Sequence, residues 1–106
     1  MRNPTSGTTL PTATVTFPVA DQGLLTNTAY APAHVACPGA RPDMGPCVIS
    51  ARGALPRTAG GADPTVIAFC DAADFVTWRV SNNSTNALVA LGTAVVLDII
   101  QLPIAP

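Results

Sequence analysis

The 106-residue chain has no lysine and no glutamate; its charge rests on five arginines and six aspartates, a net of −1. Charged residues make up 10%, against roughly a quarter in ordinary soluble domains. Nucleic-acid affinity comes mostly from clustered cations, so a phosphate-binding face is excluded as the main activity. A long solvent-exposed helix is excluded as well, because such helices carry Glu, Lys and Arg on their wet side. Histidine occurs once, at His34, and no nucleophile–base pair accompanies it, so the expectation is a protein that is not an enzyme and needs no cofactor. Long apolar runs are missing too. The longest, residues 87–97, is broken by Gly92 and Thr93 and followed by Asp98, well short of the roughly 20 residues that cross a bilayer, so no membrane partner is expected. Residues 1–9 are polar, with Pro4 and Gly7, and lack the apolar stretch of a secretory signal. The expected compartment is a cytoplasm, where Cys37, Cys47 and Cys70 remain reduced. Three cysteines also leave at least one thiol unpaired.

What is present favours strands. The hydrophobic share of 48% supports a core, and the length suits one domain. Residues 12–17 alternate, with Ala13, Val15 and Phe17 directed inward and three threonines outward, until Pro18 stops the pattern. Residues 24–30 predict a second extended segment. Residues 65–70 are β-branched and aromatic, residues 71–74 predict a turn, and residues 75–80 alternate with Val76, Trp78 and Val80 on the core face. A polar loop over 81–86, a short strand over 87–91 and a last strand over 94–102 complete the series. Short strands separated by turn clusters predict an all-β chain, a single antiparallel β-sandwich or jelly-roll-like domain over residues 11–106 behind an N-terminal arm of residues 1–10.

Residues 31–64 differ in texture. They hold six of the eleven prolines and five of the eight glycines, which forbid helix interiors and central strands. Turns with strand fragments at 34–37 and 47–51 are expected, and a loop-rich insert of this kind usually binds something. Arg41, Arg52 and Arg57 lie in it; arginine's flat fork makes several hydrogen bonds at once, so these three are candidates for a partner interface.

The late strands are apolar on both faces. Val95, Leu97 and Ile99 oppose Val96, Ile100 and Leu102, and Ile67 and Phe69 oppose Val66, Ala68 and Cys70. A sheet with one wet face should alternate. In so short a chain another subunit is the simplest cover, which makes Val96, Ile100 and Leu102 the candidate oligomer interface; the alternative is that residues 31–64 fold back over that face.

Other constellations are weaker. His34, Cys37, Cys47 and Cys70 are the residue types of a Cys₃His zinc site but lack a Cys-x-x-Cys knuckle, and a buried thiol is often only a small apolar residue. A Cys37–Cys47 disulfide would close the Pro/Gly loop, against the expected compartment. Trp78 and Tyr30 suit either sugar stacking or core packing, with packing the better account of Trp78. Asp71 and Asp74 flank a turn, where Asp is favoured locally. Asp98 interrupts an apolar strand and must be exposed at an edge or paired, with Arg79 a candidate partner. The two overlapping sequons over 82–85 fit a polar loop tip.

Residues 12–18, Thr-Ala-Thr-Val-Thr-Phe-Pro, and 70–87, Cys-Asp-Ala-Ala-Asp-Phe-Val-Thr-Trp-Arg-Val-Ser-Asn-Asn-Ser-Thr-Asn-Ala, followed by a valine-rich terminal strand, resemble small Ala/Thr/Val-rich β-domains of tailed-bacteriophage virions. Such domains occur in head fibres, tail appendages and capsid decoration (cement) proteins. The likeness covers the first strand and residues 65–102; the Pro- and Cys-rich 31–64 stretch departs from it. The resemblance implies structural work: a decoration protein, commonly a homotrimer, seated on the major capsid protein lattice at the outer capsid surface and assembled in the host cytoplasm. The alternative it implies is a receptor- or glycan-binding domain of a fibre or tail appendage.

Overall fold

The computed structural model describes residues 10–103; apart from Leu10, the expected arm lies outside that range. Nine strands follow in order: β1 Thr12–Phe17, β2 Thr28–Tyr30, β3 Val35–Ala36, β4 Cys47–Ala51, β5 Arg57–Thr58, β6 Thr65–Ala72, β7 Phe75–Asn82, β8 Leu88–Val89 and β9 Val95–Gln101. All pairings are antiparallel. The first strand lies beside the last, with Thr12 opposite Ile100 and Phe17 opposite Val95, and β4 flanks β9 on its other side. The second sheet is centred on β7, with β6 along one edge and β2 and β3 along the other. A third pair, β5 with β8, forms a short ribbon. The all-β expectation is met.

The two larger sheets enclose the core between them. The alternation of β1 buries Ala13, Val15 and Phe17 and leaves Thr12, Thr14 and Thr16 outside, as its period predicts. Val95, Leu97 and Ile99 face Val76, Trp78 and Val80, and all six are essentially inaccessible. Tyr30 sits between Phe17 and Trp78, with ring centroids 5.2 Å and 5.5 Å away, in the tilted and edge-on arrangements that aromatic pairs prefer. The prediction for Trp78 is therefore met by packing.

The molecule is elongated, 54 × 23 × 23 Å, and its loops gather at two ends. The distal end carries the start of β6 and the end of β7; the proximal end carries the β6–β7 turn and the close of β9. That turn is shorter than the sequence predicts. Strand β6 continues through Asp71 to Ala72 after an irregularity beyond Phe69, so only Ala73 and Asp74 turn the chain. Asp74 adopts φ 66°, a left-handed conformation that Asp tolerates better than most residues. Its backbone and carboxylate hold the 37–40 loop: Cys37 N–H donates to the Asp74 carbonyl, Asp74 N–H to the Ala40 carbonyl, and Gly39 N–H to Asp74 Oδ1.

Three buried amides fasten the loops, one set at each end. Distally, Gln22 Nε2 donates to the Phe17 and Thr93 carbonyls and its Oε1 accepts from Leu91 N–H. Asn82 Nδ2 donates to the Leu24 and Asn86 carbonyls while its Oδ1 accepts from Ser84. Proximally, Gln101 Nε2 donates to the Arg41 and Gly45 carbonyls and its Oε1 accepts from Arg41 N–H. Asn82 is thus a buried anchor at the end of β7, not part of an exposed loop tip as the sequence predicts. Its backbone ladder to Thr28 and its side-chain bonds organise the turn that follows.

Candidate interaction surface

The outward faces of the two sheets differ in chemistry. On the three-stranded sheet, Val96 and Ile100 of β9 are half-buried, as is Leu102 just beyond the strand, all on the side opposite the core. Thr12, Thr14 and Thr16 of β1 and Val48 and Ser50 of β4 lie alongside, in register with them. The centre of this face is polar. Asp98 accepts from Arg52 at both carboxylate oxygens, at 2.7 and 2.8 Å, and from the Thr14 hydroxyl at 2.9 Å.

The expected Asp98–Arg79 pairing is therefore not formed. Asp98 lies on the outside of one sheet and Arg79 on the outside of the other, with the core between them. Nor is Asp98 at an edge; β9 is the middle strand, and Arg52, leaving the end of β4, reaches across to it. Residues 31–64 do not fold over the apolar face. They supply β4 to the same sheet, and Pro46 and Gly45 bond the backbone of Leu102.

These hydrogen bonds from Arg52 and Thr14 hold the Asp98 carboxyl below its ordinary range. A depressed folded value stabilises the fold above the unfolded carboxyl value of about 4 and is lost as pH falls through the folded one. Melting curves taken between about pH 5 and about pH 2 should show Asp98→Asn losing less stability on acidification than the wild type. Asp43, lowered by Arg41, leaves a residual slope in both proteins. The difference should shrink in high salt, because the pair is open to water.

Each of the three predicted interface arginines is held by an aspartate of the same chain: Arg41 by Asp43 at 3.1 Å, Arg52 by Asp98 at 2.7 Å and Arg57 by Asp63 at 2.6 Å. They are also dispersed, Arg41 proximal, Arg52 on a sheet face and Arg57 beside an open cleft of about 1050 Å³ near the β5–β8 ribbon. Leu25, Val89 and Leu91 stand exposed at that same distal end.

The outward face of the four-stranded sheet is a different case. Ile67 and Phe69 of β6 and Phe75 of β7 are 41%, 40% and 36% exposed. Arg79 stands directly opposite Ile67, and Thr77 opposite Phe69. Among the described residues Arg79 forms no ion pair. His34 extends the patch by stacking on Phe75 at 4.4 Å. Exposed aromatics on one face with an arginine that forms no ion pair among the described residues match the composition of interface centres, where other charges are depleted. The sequence pattern marks Ile67 and Phe69 as the second apolar side of β6. Phe75 and Arg79 escape that pattern as interface residues, although their alternation with Val76, Trp78 and Val80 puts them on the same outer side.

The zinc constellation does not assemble. His34 lies on this outer face, whereas Cys37, Cys47 and Cys70 are at or near the proximal end of the core, all as free thiols. Among the described residues no group of three His, Cys, Asp or Glu side chains is placed to hold a metal ion. No helix of the described residues is long and apolar enough to cross a membrane. No protein-family model, curated protein or solved structure matches the chain.

Proposed function

We propose that this protein is a non-enzymatic structural component that works by burying its outer sheet faces, a capsid decoration protein of a tailed-phage virion. The observation that carries the reading is the exposed patch of Ile67, Phe69, Phe75 and Arg79 on the outer side of the paired strands β6 and β7. Hydrogen-bonded strands hold these side chains in place before contact, so little ordering entropy opposes association. In this proposal the patch joins copies of the chain, as a homotrimer. The opposite face, with Val96, Ile100 and Leu102 and the Arg52–Asp98 pair, lies against the major capsid protein on the outer surface of the head; Val96, Ile100 and Leu102 thereby move from the oligomer interface that the sequence suggests to the capsid side, because a charged pair occupies the centre of their face. A standard interface buries about 800 Å² per partner, and repetition over the shell multiplies a modest single contact into tight retention.

The test is co-sedimentation of the full chain with tailed-phage head shells freed of their own decoration proteins. The proposal expects saturable retention by shells, at least tenfold weaker for Ile100→Asp, whose side chain faces away from the core. Failure of the wild-type chain to sediment with any such shell overturns the capsid assignment.

A further inference from the structure

The two sheets meet edge to edge at β4 and β6 without a shared ladder. Strand β4 bonds to β9 and β6 to β7, yet β4 and β6 pack against each other. Side chains alone close this seam. Cys47 opens β4 opposite Gln101, whose side chain is buried, so both point toward the interior. Cys70 follows Ala68, which stands opposite the buried Trp78, and continues the inward side of β6. Both cysteines are half-buried, and both line one solvent-open crevice of about 300 Å³, together with Met44, Pro46 and Ala68. Cys37 is fully buried and does not line it.

We propose that Cys47 and Cys70 form a modification site, a thiol pair that oxidises to a disulfide and joins the two sheets where hydrogen bonds do not. A disulfide requires Cα atoms about 4.4–6.8 Å apart, so Cys47 and Cys70 must approach to that separation across the seam where β4 and β6 pack and both cysteines line the crevice. The oxidant is a small disulfide of the glutathione class, meeting the thiols at the mouth of the solvent-open crevice that Cys47 and Cys70 line. One cysteine thiolate attacks a glutathione sulfur and releases a first glutathione thiolate; the second cysteine then attacks the mixed disulfide and releases another. One protein S–S bond forms, two protein thiols lose their protons, and the glutathione disulfide is reduced to two thiols. Neighbouring thiols are felt at the site: the Cys47 thiol is pushed up by burial first, then by Cys70 and Cys37. The exchange is therefore faster in mild alkali. Oxidation gives up the weak hydrogen bond from Cys70 Sγ to the Ala72 carbonyl, at 3.1 Å.

This inference is independent of the virion assignment. The folded full-length chain is treated with oxidised glutathione at about pH 8, alkylated under denaturing conditions and cleaved on the amino side of aspartate. Cutting before Asp21, Asp43, Asp63 and Asp71 places Cys37, Cys47 and Cys70 in three separate peptides. The expected map links residues 43–62 to residues 63–70, with Cys37 alkylated. The unfolding temperature should rise by roughly 10 °C and return with dithiothreitol. Cys47→Ser should show neither bridge nor shift; should that variant fail to fold, the wild-type map decides alone. Three alkylated cysteines, glutathione adducts without an internal bridge, or a bridge to Cys37 would each overturn the assignment.

Discussion

Trp78→Ala should lower the unfolding free energy by about 3–5 kcal/mol, the usual loss when a buried tryptophan is truncated. A domain of this size holds about 5–15 kcal/mol in total, so the variant should be marginal or unfolded at 37 °C. The reason lies in what Trp78 touches. It stands at the middle of β7, between the inner face of β9 and the ring of Tyr30, and is almost fully buried. Its loss leaves a cavity between two sheets whose strands are hydrogen-bonded and cannot collapse into it. Trp78→Phe should cost much less. The indole N–H is buried without an acceptor among the described residues, and phenylalanine removes that donor along with part of the volume. Urea unfolding of the three proteins checks the order.

Gln101→Leu should cost about 2–4 kcal/mol although it keeps the volume and raises the hydrophobicity. It strands three backbone groups that the amide now serves: the N–H and carbonyl of Arg41 and the carbonyl of Gly45. Gln22→Leu should cost a similar amount at the other end, stranding the Phe17 and Thr93 carbonyls and the Leu91 N–H. The two sites share no hydrogen-bond partner, so the double variant should lose close to the sum in denaturant titration. A double variant losing no more than either single one would show that the two ends are not fastened independently.

How far the sequence discloses this molecule depends on which physical signal each part leaves. Period-2 burial is a local signal, and it is visible in β1 and β7; the placement of Phe17 and Trp78 in the core follows from it. Proline and glycine density is equally local, and it limits residues 31–64 to turns and short strands. Pairing leaves no such trace. Nothing near Thr12 announces that its neighbour is Ile100, or near Arg57 that its neighbour is Val89. The same limit explains Asp98: its cost when unpaired is legible, but Arg52 becomes its partner only because β4 lies beside β9. Gln22 and Gln101, the chain's two glutamines, were silent in the pattern, because an amide has no periodicity and its role appears only when loops converge on it. The candidate surface was half legible. Apolar residues on both sides of β6 and β9 are evident, whereas the polar centre of one face and the place of Arg79 on the other require the fold.

A single chain leaves the apolar outer face of β6 and β7 incompletely covered, with Ile67, Phe69 and Phe75 exposed, and the proposed function rests on a partner covering it. Sedimentation equilibrium of the full chain at micromolar concentration tests it most directly. The expected result is a discrete oligomer with the mass of a trimer, reduced by Phe69→Asp to the 10.7 kDa monomer with unchanged circular dichroism. A wild-type chain that stays at the monomer mass at every concentration would contradict it.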